Sequence, residues 1–143
     1  MGQVSDVSGY FNRLETGPEI EDVTAVLMRF KSGAIGYVAA DYISPRRFTL
    51  ALHGTKANAF FDLDNNDLRL QRTGETRATP IAYKPNSHLH AEMEDFATAI
   101  LGNTAPEIDG HQALVPLAIV LAASRSSAVG CSVALSELLP EGQ

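Results

Sequence analysis

From Gly2 to Tyr83 the chain alternates short runs of β-branched and aromatic residues with polar turn segments, the spacing of an antiparallel meander. The pattern predicts about six or seven strands. The clearest hairpin joins Val23–Phe30 to Ala34–Ile43 through Lys31-Ser32-Gly33, where Gly33 supplies the positive φ that a three-residue loop needs. Ser44-Pro45-Arg46 is predicted to turn next, because Pro45 lacks a ladder donor and presets its own φ. Phe48–His53, Asn58–Leu63 and Leu68–Arg72 follow as strands, separated by Gly54-Thr55-Lys56 and by the polar run Asp64-Asn65-Asn66-Asp67. Beyond the polar stretch Thr73–Arg77, a weaker strand is expected near Thr79–Tyr83.

Strand side chains alternate between two faces. In Val23–Phe30 one face carries Val23, Ala25 and Leu27, and the other Thr24, Val26, Met28 and Phe30. The next strand sets Gly36, Val38, Ala40 and Tyr42 against Ile35, Tyr37, Ala39 and Ile43. Both faces of both strands are apolar, so both need cover. Later strands have one wet face: Phe48, Leu50 and Leu52 oppose Arg47, Thr49 and His53, and Leu68 and Leu70 oppose Arg69 and Gln71.

The second half reads as helix. Ser87 is the expected N-cap of a helix to about Leu101, ended by Gly102, with Leu89, Met93, Phe96, Ala97, Ile100 and Leu101 as the stripe that faces a core. Asp109 with Gln112 three residues on matches a capping box opening a second helix to Val129, stopped by Gly130. Pro116 conflicts with a regular helix there, so the helix either kinks at it or begins at it. Cys131–Leu135 is expected as a last edge strand. Six strands at about 4.8 Å spacing span about 29 Å, whereas two helices cover about 20 Å of one face. The predicted fold is therefore α+β: an open, mostly antiparallel sheet with two main helices on one face. The other face is assigned to a subunit interface, most simply a homodimer.

At 143 residues, 45% hydrophobic and 20% charged, the chain has the size and composition of a single globular domain. Eleven Lys and Arg against seventeen Asp and Glu leave a net charge of −6, which disfavours nucleic acid. The longest apolar run, Ala113 to Ala123, is shorter than the roughly 20 residues of a membrane span and contains Pro116. One cysteine, Cys131, makes no internal disulfide and is expected to be a small buried residue without a redox role. The N-terminus shows no signal-peptide pattern, and the cytoplasm is the expected compartment.

Catalytic signatures are missing. There is no G-x-G-x-x-G, G-x-x-x-x-G-K-[ST], H-E-x-x-H, G-x-S-x-G or C-x-x-C, so no catalytic, cofactor-binding or metal residue is assigned. The densest polar cluster is His88, His90, Glu92, Glu94 and Asp95 at the first helix start. In an extended lead-in His88 and His90 could point the same way and, with Glu92, ligate a metal; on a helix residues two apart diverge by about 200°, and a solvated face with acids near the helix N-terminus is the favoured reading. Contact of a substrate with His88 is the functional alternative. Arg46 and Arg47, at a turn, suit either solvent or the clamping of a carboxylate or phosphate, and Arg46 is the second candidate substrate contact. Tyr37 and Tyr42 lie on opposite faces of one strand, so at most one can face a ligand, and core or interface packing is the favoured reading. His53 reads as a strand-face residue and His111 as a first-turn residue.

Taken in order, the following residues resemble the C-terminal domain of the glucose-fructose oxidoreductase/inositol dehydrogenase (Gfo/Idh/MocA) family. They are Glu21-Asp22, Leu27 to Phe30, Ser32-Gly33-Ala34, Gly36, Leu52 and Gly54-Thr55. The series continues with Glu92, Asp95-Phe96, Ala99-Ile100, Gly102, Pro106, Asp109-Gly110, Ala113-Leu114, Ala122, Ser126, Gly130, Val133 and Leu135. Ala57-Asn58 departs from the glycine that often follows the family's Gly-Thr-x. The resemblance implies the open sheet described above and subunit contacts through its free face. It also implies an N-terminal Rossmann domain with the nicotinamide site, a Glu-Lys-Pro segment and a catalytic Asp and His, none of which this sequence contains. Lys84-Pro85 follows Tyr83 and is not equated with that lysine.

The expected role is that of the substrate-side and oligomerisation domain of an oxidoreductase using NAD or NADP on a sugar, cyclitol or polyol. By itself the chain is expected to bind no cofactor and to be inactive. Its expected partners are a second copy, the Rossmann domain and the small-molecule substrate, with no nucleic acid or membrane. The rival reading is a non-enzymatic binding or scaffold module that uses the bare sheet face.

Overall fold

The structure, a computed structural model, describes residues 1–15, 17 and 19–139. Eight strands and two α-helices follow in the order β1 (Val4–Asn12), β2 (Val23–Phe30), β3 (Ile35–Asp41), β4 (Thr49–His53), β5 (Ala57–Asp62), β6 (Asp67–Arg72), β7 (Thr79–Pro80), α1 (His88–Gly102), α2 (Gly110–Val129) and β8 (Val133–Ala134), with a 3-10 turn at Leu135–Glu137. The chain divides into two compact units, Met1–Ser44 with Ala105–Gln143, and Pro45–Thr104.

The predicted single sheet of six or seven strands is corrected to two four-stranded antiparallel sheets, ordered β3-β2-β1-β8 and β4-β5-β6-β7. Between β3 and β4 side chains, not a ladder, hold the backbone. At the end of the first unit the Asp41 carboxylate accepts from the Ser44 backbone N–H at 2.8 Å and from the Ser44 hydroxyl. At the start of the second unit the Asp64 carboxylate accepts from the Phe48 N–H at 2.7 Å. Pro45 has no N–H to offer in any case.

In the first unit the core is small. Val4, Val7, Ala118, Ala122, Ala123, Val133 and Leu135 form it, with Val26, Met28 and Phe30 of β2 packed against it. α2 turns its small residues inward: Ala118, Ala122, Ala123 and Ser126 are buried, while Leu117, Val120 and Leu121 are more than half exposed. That inversion lets the helix lie close to β1, where a methyl added to Gly9 would overlap the Ala123 backbone. β8 pairs with β1 only at Asp6 and Val7. Further along this edge, Gly9 N–H donates to Ser126 Oγ at 3.0 Å and Phe11 N–H to Ser127 Oγ at 2.9 Å. Helix hydroxyls thus finish an edge that would otherwise be open.

The capping box at Asp109 and Gln112 is formed, and Gly130 closes α2 in the left-handed region at φ 72°. α2 neither begins nor ends at Pro116 but runs through it. α2 also meets the length and mean hydropathy, 1.4, of a membrane-crossing helix, although its longest apolar run stops at Gln112 and Ser124 and Arg125 lies within the helix. Its bonds to β1 are those of a core helix. Ser87 caps α1 as expected, but the terminating residue is Asn103 at φ 50°, not Gly102, which stays helical. The α1 stripe does not face a core within the described chain: Leu89, Met93, Phe96 and Ile100 are exposed. Cys131, expected buried, is exposed, since it directly follows the left-handed Gly130 and precedes β8.

In the second unit, paired positions put Leu50, Leu52, Ala59, Phe61, Leu68 and Leu70 on one face of β4-β5-β6. Asn58, Phe60, Asp62, Arg69 and Gln71 share the opposite face, where the His53 ring meets Phe60 edge-on at 5.8 Å.

Candidate functional site

Two features of the first unit are the candidates: the uncovered face of its sheet and a pocket at one end of it. The β1–β2–β3 register aligns Tyr10, Ala25 and Ala39 in one row, Ser8, Leu27 and Tyr37 in the next, and Asp6, Arg29 and Ile35 in a third. These side chains project away from the α2 side. Tyr10 is 70% exposed, Ile35 75% and Tyr37 66%. The face is therefore a continuous apolar layer open to solvent, with the Asp6–Arg29 ion pair at its margin. Tyr37 belongs to this layer and Tyr42 does not, since it lies past the end of β3. Neither is buried in the chain, so of the expected core or interface packing the core part does not hold.

The pocket has a volume of about 320 Å³ and is lined by Glu15, Gly17, Ile20, Asp22, Tyr42 and Ile43. Asp22 builds it. Its carboxylate accepts from Leu14 N–H at 2.9 Å and from Glu15 N–H at 2.7 Å, folding the β1–β2 loop back over the strand end. The Asp22 carbonyl accepts from Tyr42 N–H at 2.9 Å and its N–H donates to the Asn12 carbonyl, tying together the ends of β1 and β3. These donors, Glu15 N–H first and Leu14 N–H next, hold the Asp22 carboxyl below its usual range. Because the Asp22 carboxylate is consumed by the loop, the pocket presents the apolar surfaces of Ile20, Tyr42 and Ile43 beside Glu15. Sequence reasoning assigned Asp22 no role; the available signal was an acid placed directly between a polar loop and an apolar strand.

Asp22→Asn is expected to free this loop, because the amide sets an N–H2 donor against the donors of Leu14 and Glu15. For the native carboxylate, whose pKa is lowered on folding, the contribution to stability is complete above the unfolded-state pKa and disappears as pH falls through the folded one. Hydrogen exchange at the Leu14 and Glu15 amides checks both statements. Protection relative to the intrinsic exchange rate at the same pH should be lost in the variant at neutral pH and in the native chain only in acid.

The residues proposed from sequence lie elsewhere. Arg46 Nε is 3.2 Å from Asp64 and Arg47 3.0 Å from Asp62, both guanidinium groups being largely exposed. Asn65 and then Arg47 help hold the Asp62 carboxyl low. Such surface pairs contribute about 0–1 kcal/mol. His88 is the exposed first residue of α1. His90 Nδ1 lies 3.3 Å from Glu94, one helical turn on. Among the described residues no three His, Cys, Asp or Glu side chains converge on a point that could hold a metal ion. His111 stands in the first turn of α2.

Residues 1–60 match the family described as GFO/IDH/MocA C-terminal domain. No curated protein matches the sequence. Among solved structures, a provisionally assigned NADPH-dependent oxidoreductase from Desulfitobacterium hafniense is 26% identical, with a TM-score of 0.88 over 96% of this chain and 44% of that one. An aldose-aldose oxidoreductase from Caulobacter crescentus, complexed with glycerol, is 22% identical, with a TM-score of 0.81 over 93% and 42%. An oxidoreductase from Agrobacterium radiobacter, in complex with NAD+, L-tartaric acid and magnesium, is 18% identical, with a TM-score of 0.79 over 96% and 45%. The chain thus spans less than half the length of the solved proteins it matches. Residues 1–60 therefore resemble the GFO/IDH/MocA C-terminal domain, and the chain as a whole shares the fold of part of these solved oxidoreductases.

Proposed function

We propose that this chain is the substrate-side and oligomerisation domain of an oxidoreductase that uses NAD or NADP on a sugar, cyclitol or polyol. The observation that carries the reading is the uncovered face of the first sheet, where Tyr10, Leu27, Ile35 and Tyr37 form an apolar layer of the kind proteins bury against another subunit. The names of the matched proteins supply the substrate class.

The chain's own residues do not fit a nicotinamide cofactor. A dinucleotide rests its pyrophosphate on a helix N-terminus reached from a parallel strand by a glycine-rich turn. Here every strand pairing is antiparallel, and the N-termini of α1 and α2 are occupied by the side chains of Ser87 and Asp109. Hydride transfer belongs to a portion outside this chain, and the role left for the domain is to shape the substrate's surroundings and to join subunits. Arg46 and His88 remain the proposed substrate contacts, presented from the second unit; replacing either in the complete enzyme should raise KM more than it lowers kcat.

Light scattering on the chain is expected to give at least a dimer, and Leu27→Asp, which puts a charge in the middle of the layer, should halve that mass. Calorimetric titration of NAD+ or NADP+ into the chain should give no heat. A native mass equal to one chain at high concentration, or saturable cofactor binding, would overturn the reading.

A further inference from the structure

β3 is a terminal strand of the first sheet, so one of its edges has no neighbour. Phe30 N–H donates to the Ala34 carbonyl and Tyr42 N–H to the Asp22 carbonyl. The alternation of an antiparallel ladder then turns the main-chain groups of Gly36, Val38 and Ala40 toward β2 and those of Ile35, Tyr37, Ala39 and Asp41 outward. No hydrogen bond among the described residues engages these outward groups.

The edge also lacks the usual protection. Ile35–Asp41 contains no lysine, arginine, proline or bulge, and its sole charge is at the last position. On the other side of the same sheet, Ser126 and Ser127 do cover the exposed donors of β1.

We propose that the free edge of β3 pairs with the same edge of a second copy, antiparallel about Val38, joining two four-stranded sheets into one. The sequence of the strand favours this occupant and this register. A two-fold axis at Val38, the central residue of Ile35–Asp41, sets Tyr37 opposite Ala39 of the second copy and Ile35 opposite its Asp41. Every outward-turned residue then meets another outward-turned residue, so each exposed N–H finds a carbonyl. The bulky Tyr37 ring falls beside a methyl rather than beside another ring, and Val38 faces itself across the axis. β4, the terminal strand of the other sheet, is a poorer candidate because it is shorter and has Arg46 and Arg47 just before it. The proposal goes beyond the face reading above: it names a separate contact between copies, made by main-chain groups at the strand edge, which leaves the apolar face of the joined sheet still open.

In a Cys131→Ser background, Val38→Cys places two thiols at a non-hydrogen-bonded pair, where Cα atoms lie about 4.5 Å apart, within disulfide reach. Mild oxidation is expected to give a disulfide-linked dimer with Val38→Cys and none with Ile35→Cys, whose opposite position is Asp41. Adding Ala39→Pro, which removes an outward donor and no bond to β2, should abolish the cross-link. Cross-linking of Val38→Cys no faster than of Ile35→Cys, or unchanged by Ala39→Pro, overturns the proposal. A native dimer without the cross-link sinks the edge pairing alone. A cross-link in a dimer that survives Leu27→Asp supports edge pairing against the face, and a monomer without a cross-link sinks both.

Discussion

Gly9→Ala should lower the stability of the chain by about 3 kcal/mol, at the upper end of what one added methyl group costs in a close-packed interior. The new carbon would overlap the Ala123 carbonyl oxygen and lie 2.7 Å from its carbonyl carbon and 2.9 Å from its Cα, all backbone atoms that no rotamer change can move. Relief requires α2 to shift away from β1. That shift breaks the Gly9 N–H bond to Ser126 Oγ and strains the Phe11 bond to Ser127. For a chain of this length the loss corresponds to a melting point lower by about 9 °C, readable by calorimetry. Gly110→Ala is the control, since a methyl there has nothing within 4 Å and replaces the weakest helix former but proline in the first turn of α2. A Gly9→Ala chain melting with the native one would mean that α2 does not lie on β1 as described.

Leu135→Ala is expected to cost about 3 kcal/mol, within the range for removing a buried leucine. Leu135 is 3% exposed, and its neighbours in the core are valines and alanines, short side chains with little reach to refill the space. The 3-10 turn it begins is held by Leu138 and Leu139 N–H donating to its carbonyl, so the end of β8 should loosen with it. Denaturant unfolding gives the free energy, and faster amide exchange in β1, β8 and α2 locates the damage. A change below about 1 kcal/mol would show that this segment does not complete the core.

Much of the local structure was readable from residue order. Caps announce themselves because their hydrogen bonds are made within four residues: Ser87 to His90, and Asp109 to Gln112, both present as expected. The hairpin around Gly33 and the strands through Arg72 followed from turn chemistry, which is equally local. The split into two sheets was not readable, because strand partnership is decided by contacts distant along the chain, of the kind Asp64 makes 16 positions back to Phe48. At the candidate site, the two-faced apolar character of β2 and β3 was legible and pointed to the open face. The pocket was not, since Asp22 acts through backbone donors of a loop whose path no pattern encodes. Arg46 stood out as a turn cation able to clamp an anion and is found beside Asp64.

The sequence by itself determined which segments become strand or helix, which residues cap the starts of the two helices, and that β2 and β3 carry too much apolar surface for one covering layer. Those properties depend on neighbours along the chain and on the period of side-chain direction. Only the tertiary structure decided which face of α2 turns inward. Both of its faces are apolar, so hydrophobicity could not choose between them. The close approach of Gly9 to Ala123 and the need of β1 for the Ser126 and Ser127 hydroxyls selected the small-residue face, leaving Leu117 and Leu121 outside.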